Sequence, residues 1–246
     1  MSRNFDLIRE IEQEREFSTT PGHTHASTFR SVAKGTGFQS EGNSEDRQIA
    51  RLVHNVFLSG GELAPQKVVF CGVDEESGSS SVCARVGRIL ASQSPKSVCI
   101  VDANLRLARI SRILGADATI PISKDTSTSP ERCDDAGGSL WLAGTEHLAG
   151  TRGHPLGNVE VEQRLAHLSN SFDYLLIDAP GLAVCSDAAL LGKIADATIL
   201  VIEAGFTRRT SAVAAKAILD AAGVPLFGTV LLNWKLPIPE ALFNRL

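Results

Sequence analysis

The residues best suited to chemistry lie in a short polar loop. The apolar run Val68–Cys71 precedes this loop, and apolar residues with helical spacing follow it. A strand, a tight loop and a helix start form a phosphate-binding loop, in which backbone N–H groups hold an anion. Gly78 and Ser80 fit the pattern G-x-x-x-x-G-K-[ST], whose hydroxyl binds Mg²⁺, and Ser79 and Ser81 would add further contacts to the phosphates.

Two features of the loop oppose the binding of a triphosphate. Ser79 stands where the pattern has a lysine. Three acids, Asp74, Glu75 and Glu76, precede Gly78, and each like-charge contact near 4 Å costs roughly 1 kcal/mol in water and about 4 kcal/mol at a protein surface. Two interpretations therefore stay open, a nucleotide site or a run of serines that only caps a helix.

Other polar residues follow apolar runs further along the chain. Asp102, Asp178 and Asn233 each come directly after a short, nearly uniformly apolar segment, and these segments alternate with helical ones. That alternation is typical of an α/β fold, a doubly wound and mostly parallel sheet with helices on both faces. Because such sheets bind ligands at the carboxyl ends of their strands, we expect these three residues and Gly78 at one edge.

Bulk composition excludes several classes of function. The chain has 246 residues and a net charge of −4, which favours one α/β domain and gives no support to nucleic-acid binding. No apolar run reaches the roughly 18 residues that a membrane helix needs. The five cysteines show no metal-binding spacing, which favours a reducing compartment.

The first part of the chain differs from the rest. Asn4–Glu16 has the apolar stripe of an amphipathic helix, which either rests on the core or docks on a partner. Ser18–Asn43 is rich in Ser, Thr, Gly and His and has no apolar period, as in a disordered linker. We therefore expect an N-terminal helix and linker over residues 1–43 and one phosphate-loop domain over residues 44–246.

Several segments together resemble a known family. They are FDYLLIDAPGLAVCSDAALLGKIADATILVIEAG with the following TRR, then GVPLFGTVLLN and PIPEALFNRL. They are similar to the cytoplasmic bacterial tyrosine kinases of the CpsD/CapB type, which act in capsule and exopolysaccharide synthesis and belong to the wider MinD/ParA-like group of ATPases. The resemblance covers about residues 45–246 and implies a P-loop NTPase fold with ATP and Mg²⁺ as cofactors.

The resemblance also implies roles for single residues. Asp178 matches the aspartate that handles Mg²⁺ through water. Asp102 and Arg106 match a second motif, D-x-D-x-R, in which Asn104 replaces the second acid, and Asn104 and Arg106 would contact the cofactor. The two aspartates would be the catalytic acids and, with the loop hydroxyl, the metal ligands. Asn233 matches the asparagine that contacts the adenine edge.

The departures from the family pattern decide the predicted function. Ser79 stands in place of the loop lysine. The family has a tyrosine-rich tail, whereas the only tyrosine of this chain is Tyr174, which lies inside an apolar run. The oligomerisation motif E-x-x-R-x-x-R would fall on Arg47, Ala50 and Val53 and does not fit. We therefore expect a pseudoenzyme with weak or lost nucleotide binding rather than a kinase that assembles in the family's manner.

The expected role is regulation of polysaccharide export by binding a partner. The resemblance implies a cytoplasmic protein that is recruited to the inner face of the membrane by a membrane polysaccharide co-polymerase or export protein, with a homo-oligomer as a further option. One alternative is an active, atypical ATP-dependent tyrosine kinase whose lysine comes from Lys67, Lys124 or a neighbouring subunit. Another alternative is a MinD/ParA-like positioning ATPase.

Overall fold

The computed structural model of the protein describes residues 41–115, 129–133, 138–148 and 158–234. The predicted N-terminal helix lies outside these residues, as do the predicted linker up to residue 40 and the segment that contains Lys124. The first described helix begins at Glu41, so the last three residues that the sequence assigns to the linker are helical.

A seven-stranded sheet organises the described part of the chain, in the order β3-β4-β2-β5-β1-β6-β7. All neighbouring strands are parallel except β3 and β4, which are antiparallel. The strands are β1 (Lys67–Gly72), β2 (Val98–Asp102), β3 (Glu131–Arg132), β4 (Leu140–Ala143), β5 (Tyr174–Asp178), β6 (Ala197–Glu203) and β7 (Leu226–Leu232).

Helices cover both faces of the sheet, as a doubly wound fold requires. The helices are α1 (Glu41–Val53), α2 (Ser79–Gln93), α3 (Arg109–Leu114), α4 (Asn158–Ser171), α5 (Asp187–Ile194) and α6 (Arg209–Ala221). A π-helical turn (His54–Leu58) and two 3-10 turns (Gly61–Leu63 and Thr145–His147) complete the described regular structure. None of the described helices is long and apolar enough to cross a bilayer.

Two apolar cores lie on opposite faces of the sheet. One holds buried residues of α1, α2 and α3, and the other holds buried residues of α4, α5 and α6. Strands β2 and β5 are buried along their whole length, whereas β7 at the edge alternates between half-buried and exposed residues. The uniformly apolar segments are therefore the central strands, because helices pack on both of their faces.

The segment after β2 differs from the sequence-based expectation. Its apolar spacing predicts a helix from Asp102 to Gly115, but α3 begins only at Arg109. Asp102 Oδ1 accepts a hydrogen bond from the Asn104 N–H, and Ala108 has a left-handed backbone with φ 43°. Local side-chain bonds of this kind compete with the helix and delay its start.

Candidate functional site

The carboxyl edge of the sheet brings the predicted residues together. Asp102 at the end of β2 pairs in register with Asp178 at the end of β5. Asp178 also pairs with Phe70 of β1, the strand that leads into the glycine loop. Asn233 follows β7 at the same edge. The predicted convergence of these strand ends is confirmed.

The glycine loop has the backbone of a strand–loop–helix turn. Gly78 is left-handed, with φ 76°, directly before α2, and a Cβ there would lie 2.7 Å from Leu232 Cδ1. Only glycine fits such a position without strain. Ser79 and Ser80, the first residues of α2, are buried, whereas Ser81 is exposed.

The chain itself holds the loop from two sides. The buried Ser77 Oγ donates to the Asp74 carbonyl and accepts from the Asp74 N–H, both at 2.8 Å. Gly181 follows Asp178 and lies so close that a Cβ would be 2.7 Å from the Glu75 nitrogen. The Leu182 N–H then donates to the Gly72 carbonyl at 3.0 Å. The segment after β5 therefore packs directly on the loop.

Asp102 and Asp178 are fully buried, and three of their four carboxyl oxygens have no hydrogen-bond partner among the described residues. Burial raises the pKa of Asp178 to about 8, and the nearby Asp102 adds to the shift, while the Ser80 hydroxyl and the Arg109 charge partly offset it. Burial likewise raises the pKa of Asp102 to about 6. Buried acids with perturbed pKa values are candidates for a functional site.

The unpartnered oxygens provide a test of whether Mg²⁺ fits this edge. Magnesium takes oxygen ligands and usually keeps several waters, so two carboxylates and a hydroxyl suit a hydrated ion. Asp102, Asp178 and Ser80 would hold it, and the ion would neutralise charge on phosphate oxygens. Because the pKa of Asp178 is raised, the ion must displace a proton from this carboxyl group when it binds.

Among the residues that the structure describes, the cations that contact the loop are arginines. Arg109 Nη1 donates to the Glu75 carbonyl at 3.3 Å, and Arg106 Nε lies 3.9 Å from Glu75 Oε1. Lys67 begins β1 and lies 3.9 Å from Asp196, at the amino edge of the sheet. Lys67 of the same chain is thus the wrong choice for a substitute lysine, because it lies at the opposite end of β1 from the loop.

The two predicted asparagines make local contacts. Asn104 is buried, and its Oδ1 accepts a hydrogen bond from the Arg106 N–H at 3.3 Å. Asn233 is exposed in a left-handed conformation with φ 55°, and its Nδ2 donates to Glu203 Oε1 at 2.7 Å. Asn104 shapes the turn after β2, and the adenine-binding role of Asn233 stays a prediction.

Sequence reasoning missed the contacts that Ser77, Gly181 and Arg109 make with the loop. The approach of Gly181 and of Arg109 is tertiary and leaves no local signal. The Ser77 bond had a weak signal, since serine commonly bonds to backbone groups two or three residues away.

The fold defines the class of protein as a phosphate-loop α/β domain. No protein-family model matches the chain. Tyrosine-protein kinase CpsD of Streptococcus agalactiae serotype III (strain NEM316) is 25% identical over 182 residues, which cover 72% of this chain and 77% of that protein. Tyrosine-protein kinase YwqD of Bacillus subtilis (strain 168) is 23% identical over 198 residues, which cover 79% of this chain and 82% of that protein.

Solved structures show the same fold. The kinase domain of Escherichia coli tyrosine kinase ETK has a TM-score of 0.59 at 19% identity and covers 80% of this chain and 78% of its own. MinD of Aquifex aeolicus has a TM-score of 0.53 at 18% identity and covers 72% of both chains. The chain is therefore related to the bacterial tyrosine kinases, and its fold is the one that these kinases share with MinD-type ATPases.

Proposed function

We propose that this chain is a tyrosine-kinase-like phosphate-loop protein that regulates exopolysaccharide or capsule biosynthesis or export, with weakened nucleotide binding. The observation that carries the proposal is the buried Ser79 at the first position of α2. The pattern G-x-x-x-x-G-K-[ST] has a lysine there, whose point charge contacts the β- and γ-phosphates. Phosphoryl transfer depends mostly on such positioning and charge, so a neutral serine removes a large contribution.

The two buried aspartates support the descent of this chain from a nucleotide-binding protein. Asp102 and Asp178 keep the positions that the family pattern gives to its acids, and three of their oxygens have no hydrogen-bond partner among the described residues. Magnesium and ATP are therefore the cofactors of the proposal, with low affinity as the consequence of Ser79. Partner binding would then be the activity that the fold retains.

Tyr174 supports a loss of autophosphorylation. It is the only tyrosine in the sequence, it lies in β5, and only 4% of its surface is exposed. Its hydroxyl donates to the Phe57 carbonyl at 3.5 Å. A kinase cannot reach a hydroxyl in a central strand without unfolding the sheet.

The partner and location in this proposal come from the resemblance. We propose binding to the cytoplasmic side of a membrane protein of polysaccharide export, which would recruit the chain to the inner face of the membrane. The proposal includes self-association as an option and involves no nucleic acid.

A second candidate is an active but atypical ATPase or tyrosine kinase. The observation that favours it is the pair of arginines at Glu75, since a guanidinium group can bind phosphate as a lysine does. In that case Arg109 or a residue of another subunit would supply the missing charge.

ATP turnover and phosphotyrosine formation test the two candidates against each other. We expect the wild-type chain with Mg-ATP to release ADP no faster than a sample without protein and to form no phosphotyrosine. Ser79→Lys should raise turnover, whereas Ser81→Lys, which adds the same charge at an exposed position of the same helix, should not. Wild-type turnover that Asp178→Asn abolishes would overturn the pseudoenzyme proposal and support the second candidate.

A further inference from the structure

Glu75 has an unusual position among the three loop acids. Its Oε1 is buried, has no hydrogen-bond partner among the described residues and lies 3.9 Å from Arg106 Nε. Its backbone carbonyl accepts a hydrogen bond from Arg109 Nη1 at 3.3 Å. By contrast, Glu76 is exposed and forms no ion pair with a described residue. Arg106, in the turn before α3, therefore faces the Glu75 carboxylate, and Arg109, the first residue of α3, binds the Glu75 backbone.

The backbone conformation before Arg109 places this residue against Glu75. Ala108 has a φ of 43°, and only one other described non-glycine residue, Asn233, has a positive φ. Such conformations cost free energy and occur mainly where a site requires them. The turn at Ala108 starts α3 at Arg109, whose side chain bonds the Glu75 carbonyl and whose charge acts on the buried Asp178. Arg109 thus links the loop to Asp178, one of the candidate Mg²⁺ ligands.

Arginine pairs of this kind are groups that bind phosphate. A guanidinium group binds phosphate oxygens through parallel N–H bonds, and a carboxylate satisfies the same donors. We propose that Arg106 and Arg109 form a phosphate-recognition pair that the chain's own Glu75 occupies, its carboxylate facing Arg106 and its backbone carbonyl bonded to Arg109. Glu75 then competes with the phosphate groups of a nucleotide or of free pyrophosphate. This inference rests on the proposed function, and it adds a second, separable cause of weak binding.

Matched charge removals in the loop test the inference. Wild type, Glu75→Gln and Glu76→Gln are titrated calorimetrically with Mg-ATP and with magnesium pyrophosphate. Both variants remove one negative charge, but only Glu75→Gln removes the carboxylate that faces Arg106. We expect Glu75→Gln to lower the dissociation constant about tenfold, the effect of one like-charge contact, and Glu76→Gln to lower it less than about twofold. Equal gains for both ligands identify the phosphates as the recognised group, and a larger gain for Mg-ATP identifies a nucleotide.

Removal of the arginines completes the test. Adding Arg106→Gln to Glu75→Gln should abolish the gain, whereas Arg106→Lys should keep part of it. Glu75→Asp, whose shorter side chain draws the charge away from Arg106, should give a smaller gain than Glu75→Gln. Thermal unfolding of each variant shows that it is folded.

The outcomes separate this inference from the proposed function. Equal affinities of Glu75→Gln and Glu76→Gln, including no binding by either, overturn the inference and leave the role of Ser79 untouched. A gain that survives Arg106→Gln overturns it as well. Micromolar binding of Mg-ATP by the wild type overturns the proposed function instead, while the comparison of the two glutamine variants still decides the role of Glu75.

Discussion

Aspartate side chains have opposite environments at the two edges of the sheet. At the amino edge, Asp196 accepts hydrogen bonds from the N–H groups of Gln66 and Lys67 at 2.9 and 2.7 Å. At the carboxyl edge, Asp102 and Asp178 are fully buried, and three of their oxygens have no partner among the described residues. The first arrangement stabilises the fold, and the second costs stability.

The pKa directions follow from this difference. Ser97 donates to Asp173 from its N–H and its hydroxyl at the amino edge, and these bonds lower the pKa of Asp173. Burial raises the pKa of Asp178 at the carboxyl edge. Buried acids with perturbed pKa values are candidates for a functional site. The comparison therefore identifies the carboxyl edge as the candidate functional edge.

The largest expected effect is the pH dependence that Asp178 imposes. The folded chain holds a proton on Asp178 up to about pH 8, whereas the unfolded chain releases it near pH 4. Because the folded state binds more protons over this range, stability falls as pH rises from about 4 to about 8. Asp178→Asn cannot titrate, so urea unfolding of this variant should show little pH dependence above about pH 6, where Asp102 has also titrated.

If the unfolding free energies of wild type and Asp178→Asn change in parallel over this pH range, the contrast between the two edges of the sheet is contradicted. It would mean that water or a bound ion already satisfies the Asp178 carboxylate. Addition of EDTA to both samples separates these two explanations.

The next largest effect is expected from removal of Asp196, whose carboxylate accepts two backbone hydrogen bonds at the amino edge. Asp196→Ala leaves the N–H groups of Gln66 and Lys67 without their acceptor, which should cost about 1–3 kcal/mol of unfolding free energy. The matched control is Asp220→Ala, since Asp220 pairs only with Lys216 on the exposed face of α6 and should cost less than about 0.5 kcal/mol. Equal costs for both variants would contradict a structural role for Asp196.

A smaller effect is expected at Asp173, which is more exposed. Asp173→Ala should cost about 1 kcal/mol at neutral pH, because the charged carboxylate accepts two bonds from Ser97. Its lowered pKa means that this stabilisation is present above the unfolded pKa and is lost as pH falls through the folded one. A double-mutant cycle with Ser97→Ala measures the side-chain part, and a cost that grows toward acid pH would contradict the assignment.

The smallest effect is expected at Lys67. Its Nζ lies 3.9 Å from Asp196 at a partly exposed position, so Lys67→Ala should change the unfolding free energy by no more than about 0.5 kcal/mol. It should also leave nucleotide binding unchanged, because Lys67 lies at the amino edge. A loss of Mg-ATP affinity in Lys67→Ala would revive this lysine as a substitute, acting in a neighbouring subunit.

Most of the fold could be predicted from the sequence, because the central strands are uniformly apolar and end in polar residues. The meeting of Asp102 with Asp178 follows from that pattern alone. Strand β3 could not be predicted, since Glu131 and Arg132 are polar and exposed. The start of α3 depends on the left-handed Ala108, a residue type that favours helices.

The details of the site were harder to predict than its position. Glu75 and Arg109 are 34 residues apart, and their contact depends on how the turn after β2 faces the loop. Sequence reasoning therefore treated the three loop acids alike, whereas the structure distinguishes Glu75 from Glu76 by its contacts. Lys67 was considered by its nearness in sequence, and the direction of β1 places it at the wrong end.

Calorimetric titration with Mg-ATP, on wild type, Ser79→Lys and Ser81→Lys side by side, tests most directly whether the missing lysine weakens the site. We expect weak or undetectable binding by the wild type and by Ser81→Lys. Ser79→Lys should bind at least about tenfold more tightly, the effect of one well-placed charge on the phosphates. Micromolar affinity of the wild type, with no gain in Ser79→Lys, would contradict the proposal that a lost loop charge separates this chain from its kinase relatives.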